Sequence, residues 1–281
     1  MACSKAQTMR NQTDAFLPGA KIAALENKKL GEISGLESST NNPNLLWAHN
    51  DSGNGPEIFL LNDKLEIKLT CELAGVKNRD WEDIAVGPGP DSNKNYVYVA
   101  EIGDNDAVYQ EKFIYRFEEP TWKEGMSDKI TISAFDKIIF HLEDERKDTE
   151  TLLIDAKTKN LYVVSKREEP VYLYELKYPF KINEAITAKK LISLPLTKIV
   201  AGDISADGKE IIMKNYDNVY YWNTTTEKSI TELLREEPKE VPYEIEPQGE
   251  SITWAANGSG FYTLSEKNKK KKSFLYFYER K

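Results

Sequence analysis

The chain has 281 residues, with 38 Lys and Arg residues against 46 Asp and Glu residues, which gives a net charge of −8. An acidic chain lacks the positive face that binds phosphate backbones, so we expect no nucleic-acid partner. Hydrophobic residues make up 40% of the sequence, which is enough apolar material for an ordered core. No apolar run approaches the roughly 18 residues that a membrane-spanning helix needs, so we expect no transmembrane segment.

The first 19 residues are rich in polar side chains and are predicted to form a flexible leader. Cys3 follows a small residue and precedes this polar segment, which resembles the start of a bacterial lipoprotein. One hypothesis is therefore a lipid anchor at Cys3 and a location in the cell envelope, or secretion. The alternative is an ordinary disordered terminus on a cytoplasmic protein. Residues 20–281 are predicted to form one domain, which we expect to be a monomer.

An internal repeat organises this domain. An acidic residue near the start of an apolar stretch, a turn rich in Asn, Gly or Asp, and a strong strand recur five times. The repeats are centred on residues 34, 82, 150, 202 and 250, with steps of 48, 68, 52 and 48 residues. A four-stranded propeller blade takes about 40–50 residues. The repeat therefore predicts an all-β fold, a five-bladed β-propeller. Six blades are the alternative, because the 68-residue step could hold extra strands.

The two ends of the domain are predicted to meet. Each repeat continues with strands rich in aromatic and β-branched residues, but the last repeat stops after its third strand, residues 274–278. Residues 20–25 form a strand-like run that precedes the first repeat. Pairing this run with the last blade would close the ring and remove its open edges. In the second repeat, residues 130–142 are predicted to form the fourth strand.

Polar residues occupy two places in each repeat that a propeller brings to one face. The first strand of a blade lines the central channel, so its start and the end of the second strand share one channel mouth. The first-strand starts contribute Glu32, Asp80, Glu82, Asp148, Glu150, Asp203, Gln248 and Glu250. The second-strand ends contribute residues 49–51, 101–105, 165–167, 214–216 and 265–267. We therefore interpret this mouth as the working face of the protein.

Carboxylates crowded around one axis repel each other and need compensation. A hard divalent cation, with Ca²⁺ the best match, takes six to eight oxygen ligands from carboxylates, amides and water. The alternative is that cations neutralise the acids, or that some of the acids stay protonated. The candidate cations are Lys166, Arg167, Lys214 and Arg79.

His49 lies in a glycine-rich loop and could supply a general base or a metal ligand. The alternative is an Asx-rich turn whose side chains bond their own backbone. The sequence contains no Walker nucleotide motif, no Gly-x-Ser-x-Gly elbow and no His-Glu-x-x-His motif. Any catalysis would therefore depend on carboxylates, lysines or a metal.

Part of the sequence resembles a family of bacterial exported propeller proteins, which are distantly similar to phytase-like and gluconolactonase-like propellers. The residues that carry the resemblance are Ile33-Ser34-Gly35-Leu36, Trp47-Ala48-His49-Asn50-Asp51, Asp80-Trp81-Glu82-Asp83 and Glu101-Ile102-Gly103-Asp104. The resemblance implies calcium bound by Glu32, Asn50, Asp51, Glu82, Glu150 and Glu250, with Lys166, Arg167 and Lys214 as anion contacts. Asp203, a further first-strand acid, completes the predicted ligand set. The relatives with known activity have six blades, whereas five repeats are counted here.

Two functions are compatible with these residues. The first is a calcium-assisted hydrolase of a phosphoester or a lactone-like ester. In it, Glu82 or Glu150 is the base, and Lys166 and Arg167 stabilise the developing negative charge. The second is a non-catalytic envelope propeller that binds a protein, peptide or glycan through the same face.

Overall fold

The computed structural model describes residues 11–268 and 271–281, and these residues form an all-β fold. The predicted lipid anchor at Cys3 lies outside the described residues. The described ranges contain one short α-helix, α1 (Ile230–Leu234), which begins at a capping box between Ser229 and Glu232. No helix in the described part of the chain has the length and hydropathy needed to cross a bilayer.

Most strands form antiparallel meanders in which strands consecutive in the chain are hydrogen-bonded neighbours. The strands are β1 (Ala20–Ala24), β2 (Ile33–Ser38), β3 (Leu46–Asn50), β4 (Glu57–Leu61), β5 (Ile67–Leu73), β6 (Trp81–Pro88), β7 (Asn95–Glu101), β8 (Lys112–Glu118), β9 (Lys129–Ile132), β10 (Asp136–Leu142), β11 (Thr149–Ile154), β12 (Leu161–Ser165), β13 (Val171–Leu176), β14 (Ala185–Leu194), β15 (Ala201–Ile204), β16 (Glu210–Lys214), β17 (Val219–Asn223), β18 (Lys239–Val241), β19 (Ser251–Trp254), β20 (Gly260–Leu264) and β21 (Phe274–Glu279).

The strands group into sheets that follow the sequence repeat. One sheet has the order β2-β3-β4-β5-β9, a second β15-β16-β17-β18, and a third β1-β21-β20-β19. The largest has the order β11-β12-β13-β14-β10-β8-β7-β6. It consists of two four-stranded meanders whose outermost strands, β10 and β14, pair in parallel.

The long second repeat contains one strand more than predicted. The single fourth strand predicted over residues 130–142 is wrong, because this segment forms two strands, β9 and β10. β9 pairs in parallel with β5 of the preceding sheet, whereas β10 pairs with β8 of its own meander. The extra length of the 68-residue step is thus used partly to extend a neighbouring sheet.

The first strands of the five meanders form a closed ring. β2 contacts β6, β6 contacts β11, β11 contacts β15, β15 contacts β19, and β19 returns to β2. Side chains join neighbouring members: Ser34 Oγ donates to the Glu82 carbonyl at 2.5 Å, and Ser38 Oγ donates to the Trp254 carbonyl at 2.5 Å. We call β2, β6, β11, β15 and β19 the first-strand ring.

The N-terminal strand completes the last sheet. β1 pairs antiparallel with β21, and Ala20 lies opposite Phe277. The core is divided among the spaces between neighbouring sheets. Trp47 of β3 and Trp81 of β6, for example, are both fully buried in one apolar cluster shared by two sheets. Burying one large apolar side chain contributes about 1.5–3 kcal/mol, so these clusters hold adjacent sheets together and fix the first-strand ring.

Candidate functional site

Carboxylates gather where the first-strand ring begins. We call this set the acidic mouth; its members are Asp51, Asp80, Glu82, Asp148, Glu150, Glu250 and Glu266. Except for Asp51, each is at most 9% exposed. They come from the starts of first strands or from the residues after second strands, and these are the two places that the repeat predicts to converge.

Local irregularities in two first strands aim the central carboxylates. The β6–β7 register shifts between Trp81 and Asp83, and the β11–β12 register shifts between Thr149 and Thr151. Glu82 and Glu150 are therefore the extra residues of β-bulges, which release a side chain from the normal alternation of a strand. The bulges explain why both side chains turn toward the mouth.

Two groups of three carboxylates overlap at Glu82. In each group, one oxygen from every member lies within 4.8 Å of the others. The first group is Asp51, Asp80 and Glu82, and the second is Glu82, Asp148 and Glu150. Oxygen ligands lie about 2.3–2.6 Å from a bound Ca²⁺, so oxygens around one ion lie within about 5 Å of one another. The spacing of both groups is suited to a cation of this kind.

Glu82 forms no salt bridge among the described residues, and Lys166 acts on it only through a charge interaction that lowers its pKa. Its side chain is 5% exposed, and no hydrogen bond or ion pair reaches its carboxylate from residues 11–268 or 271–281. Burial raises the pKa of Glu82 well above its usual range, and the nearby Glu150, Asp51 and Asp80 carboxylates raise it further. A buried carboxylate of this kind is stable only when protonated or when a cation is bound.

Two cations form salt bridges with the acidic mouth, and the charge of a third, the buried Lys112, also acts on Asp80 and Asp148. Lys166 Nζ lies 2.6 Å from Glu150 Oε1, and Arg167 Nε lies 2.8 Å from Asp148 Oδ2. Burial raises the pKa of Glu150 to about 8, although Lys166 opposes this shift. The Arg167 side chain is 50% exposed, so it also faces solvent at the rim.

The other two candidate cations have different partners. Lys214 is fully buried, donates to the Gly249 carbonyl and lies 3.6 Å from Glu246. Arg79 lies 3.8 Å from Glu101. Arg79 thus pairs with a carboxylate that the repeat also places at the channel mouth, whereas Lys214 pairs with Glu246 and is also affected by the charge of Glu250.

His49 is fully buried in the wall beside the mouth. Its Nδ1 lies 3.0 Å from the Asn50 carbonyl oxygen, its ring packs edge-on against Trp81 at 5.5 Å, and its Nε2 lies over Gly35. Burial lowers the pKa of His49 to about 4, so the imidazole is neutral at physiological pH. His49 has no exposed surface and packs as a core residue, and its role as a general base stays a prediction.

Glu32 is exposed and belongs to neither three-carboxylate group, whereas Asn50 is buried beside it. The Asn50 side chain accepts from the Glu32 amide at 3.2 Å and donates to the Lys29 carbonyl at 2.7 Å. Asn50 thus holds the loop before β2 through contacts 18 and 21 positions away, which are not the local contacts of an Asx turn. Glu32 is exposed and accepts from Asn54 at 2.6 Å.

Asp203 does not lie in the acidic mouth, where the repeat predicts it. Its Oδ2 accepts from the Trp254 amide at 2.8 Å, and it belongs to neither three-carboxylate group. The residue equivalent to Glu82 in this repeat is Gly202, so Asp203 lies one position deeper, like Asp83, which accepts from the Leu152 amide. β15 pairs with β16 without a register shift, so no bulge turns Asp203 toward the mouth.

Four residues of the site are missing from the predicted ligand set. Asp80 and Asp148 each precede a bulged glutamate by two positions, a spacing that could have identified them. Glu266 follows β20, and burial raises its pKa to about 8. Gly103 has a steric role: a Cβ here would overlap Glu82 Oε1 and Asp80 Oδ2.

The acidic mouth can bind a hard cation, hold protons on its buried carboxyl groups, and present Arg167 to an anion. The chain matches no protein-family model, and it shows no significant match to a curated protein. The residues of the acidic mouth therefore carry the functional interpretation.

Proposed function

We propose that this protein is a five-bladed β-propeller that binds a divalent cation, with Ca²⁺ the best match, at the acidic mouth. The cation would assist the hydrolysis of a phosphoester or a lactone-like ester. Support for the propeller comes from the closed first-strand ring, from the four-stranded meanders that radiate from it, and from the pairing of β1 with β21. A blade whose last strand comes from the other end of the chain is a common way to close such a ring.

The position of Glu82 carries the cation proposal. It is a nearly buried carboxylate that is shared by two three-carboxylate groups. It forms no salt bridge among the described residues, although the charge of Lys166 acts on it. Leaving it ionised would be unfavourable by several kcal/mol, whereas a bound cation would offset that cost. Oxygen-only ligands favour Ca²⁺ or Mg²⁺ over softer metals.

The hydrolase proposal depends on how the remaining residues could act around the cation. A bound cation would supply positive charge for an oxyanion and lower the pKa of nearby water. Glu150, whose pKa lies near 8, could accept a proton from that water. Arg167 is half-exposed and could hold a phosphate or a developing carboxylate at the rim. Lys166 would regulate the charge of Glu150 through their ion pair.

A second function is favoured by the limited access to these carboxylates. Glu82, Glu150 and Asp148 are at most 5% exposed, which leaves little room for a substrate to reach them. Val108 and Tyr109 lie in the loop after β7, where their backbone amides donate to the Asp104 side chain. Their side chains are 56% and 39% exposed and could contact a partner. A non-catalytic propeller that uses a structural cation and binds a protein, peptide or glycan through this face is therefore the alternative.

The cellular location is a separate proposal. A lipid on Cys3 and an envelope location would follow from the resemblance to exported propellers. Mass spectrometry of material expressed from the native full-length gene would detect the lipid, and an unmodified cytoplasmic protein would contradict this proposal.

Calcium binding and hydrolysis can be tested in two successive experiments. Thermal unfolding is first measured with EDTA, Ca²⁺ or Mg²⁺; a Ca²⁺ concentration of 100 times Kd should stabilise the fold by about 2.7 kcal/mol. Chromogenic phosphoesters, esters and lactones are then tested with and without Ca²⁺. The Glu82→Gln/Glu150→Gln variant should lose both effects, whereas Glu118→Gln, which changes an exposed carboxylate paired with Lys94, should keep them.

Three outcomes separate the proposals. Calcium stabilisation with calcium-dependent turnover supports the hydrolase. Calcium stabilisation without turnover of any substrate supports the binding propeller. The absence of stabilisation at millimolar Ca²⁺ and Mg²⁺, in a folded protein, contradicts the cation site itself.

A further inference from the structure

A cavity lies at the opposite end of the first-strand ring from the acidic mouth. It has a volume of about 600 Å³. Its floor and walls come from the far ends of first strands, including Glu37 of β2, Val86 of β6 and Trp254 of β19. On β6, Glu82 lies near the start of the strand and Val86 near its end, so the two sites occupy opposite ends of the ring. Cavities of roughly 300–1,000 Å³ are typical of small-molecule sites.

Two buried carboxylates face this cavity. Glu37 and Asp203 both line it, and each is 8% exposed. They meet at one hydroxyl: Thr253 Oγ1 lies 3.1 Å from Glu37 Oε1 and 3.2 Å from Asp203 Oδ2. The Ser38 amide also donates to Glu37 Oε1 at 2.8 Å, and the Trp254 amide donates to Asp203 Oδ2 at 2.8 Å, so the hydrogen-bond donors to both carboxylates are neutral groups.

The lining of the cavity has more carboxyl groups than cations, and burial raises the pKa of Glu37 well above its usual range and that of Asp203 to about 7. Its arginine, Arg280, is bound at both ends of its guanidinium by Glu210, at 2.8 and 2.7 Å. No ion pair reaches Glu37 or Asp203 from the part of the chain that the structure describes. Asp207 adds a further carboxylate at the edge of the cavity. A ligand that carried positive charge would therefore relieve two buried carboxylates.

Apolar side chains make up part of the cavity wall. Val86, Ile204, Ala206, Ala255 and Ala256 lie in the lining together with the polar residues Ser38, Thr40, Ser205 and Asn257. The cavity therefore offers both carboxylates and apolar surface to a single ligand. An alkylammonium has three N–H donors at one end and a hydrocarbon body at the other. Its ammonium group matches the carboxylates on the floor of the cavity, and its hydrocarbon body matches the apolar side chains of the walls.

We propose that this cavity binds a small aliphatic amine in its ammonium form, with the ammonium on Glu37 and Asp203 and the alkyl chain against the aliphatic walls. The site is distinct from the acidic mouth and does not depend on the function proposed for it. Trp254, which lines the cavity and lies under Arg280, would form one side of the entrance.

Calorimetry with the full chain tests this site, with n-pentylamine hydrochloride as the probe and n-pentanol as a neutral molecule of similar shape. EDTA is included so that no divalent cation contributes. Pentylammonium should bind at least about tenfold more tightly than pentanol, because only the ammonium makes charge-assisted hydrogen bonds. Glu37→Gln and Asp203→Asn should each weaken its binding by about tenfold or more.

A third variant leaves both carboxylates intact. Ala256 is an exposed wall residue in the turn after β19, so Ala256→Leu should narrow the cavity without disturbing the fold. It should weaken pentylammonium binding while the unfolding temperature stays unchanged, and Glu118→Gln should leave binding unchanged. Equal affinity for pentylammonium and pentanol, binding that survives all three cavity variants, or no binding by the wild-type chain would overturn the proposal.

Discussion

Lys166 Nζ lies 2.6 Å from Glu150 Oε1 in a pair whose side chains are only 12% and 3% exposed. Further carboxylates surround this pair. Asp148 and Glu250 raise the pKa of Glu150, and Glu150 in turn raises the pKa of Glu82. Burial disfavours the ammonium, yet the Glu150 carboxylate raises the pKa of Lys166. The ion pair therefore neutralises part of the negative charge of the acidic mouth. Because Glu150 titrates, the stability of the protein should depend on pH.

Replacing Lys166 with Gln should destabilise the protein in a pH-dependent manner. The pKa of Glu150 is about 8 with Lys166 beside it, so the wild-type pair is charged near pH 9, and the variant should lose this ion pair at a cost of about 2 kcal/mol. Near pH 6 Glu150 is protonated and the cost should be small. Urea unfolding at both pH values, with EDTA, measures the difference. Lys94→Gln breaks an exposed pair of similar length and should change stability little at either pH.

Replacing Glu82 with Gln should have opposite effects with and without calcium. Without a cation, the amide removes an unpartnered buried carboxylate, so the free energy of unfolding at pH 8 should rise by about 1 kcal/mol. With Ca²⁺ at 100 times the wild-type Kd, the stabilisation of about 2.7 kcal/mol should disappear in the variant. Thermal unfolding with EDTA and with Ca²⁺ measures both effects. A variant that loses stability in EDTA would show that Glu82 has a partner in the folded state.

Gly103→Ala should disturb the acidic mouth by steric overlap alone. A methyl group at Gly103 would overlap the Glu82 and Asp80 carboxylates, so the variant should lose about 1–3 kcal/mol of stability and bind Ca²⁺ more weakly. Gly55→Ala is the matched control, because the nearest atom to its added Cβ is Glu57 Cγ at 3.8 Å. Fluorescence-detected unfolding and calcium titration compare the two variants. Equal effects from both would indicate that chain flexibility, rather than crowding of the carboxylates, determines the outcome.

His49 should remain neutral well below the usual pKa of histidine. Burial lowers its pKa to about 4, so the unfolded chain takes up a proton below pH 6.5 that the native state does not. This residue alone should therefore remove up to about 3 kcal/mol of stability as the pH falls from 6.5 to 4. Ring nitrogen shifts in NMR spectra, assigned with His49→Gln, should stay constant from pH 7 to pH 5. A titration midpoint near 6.5 would contradict the buried, neutral assignment.

The repeat was sufficient to predict the all-β class, the places where polar residues converge, and the presence of Glu82 and Glu150 among them. It could not predict the position of Asp203, because that depends on whether a first strand contains a bulge. Bulges occur at Glu82 and Glu150 but not in β15, and the local sequence does not distinguish these cases. The sequence also could not predict which side chains are buried. His49, for example, is buried because Trp81, 32 positions away, packs against it.

Residues outside the repeat pattern were the hardest to interpret. Lys214 ends a second strand, a position that the repeat places at the mouth, but it forms its salt bridge in the interior with Glu246, which lies in a loop without repeat signal. Glu37 gave no signal at all, since a glutamate near the end of a strand is ordinary in sequence. Its significance arises only when the ring closes and brings Thr253, more than 200 positions away, into contact with it.

The pairing of β1 with β21 also has a consequence for folding kinetics. Ala20 lies opposite Phe277, so the contacts that complete this sheet join segments more than 250 residues apart. Contacts of such long sequence separation slow folding, because the entropy of loop closure is lost before the contacts form. During synthesis, β1 would leave the ribosome long before its partner exists. We therefore expect the sheets from β2 to β18 to form first, with the docking of β1 as a late step.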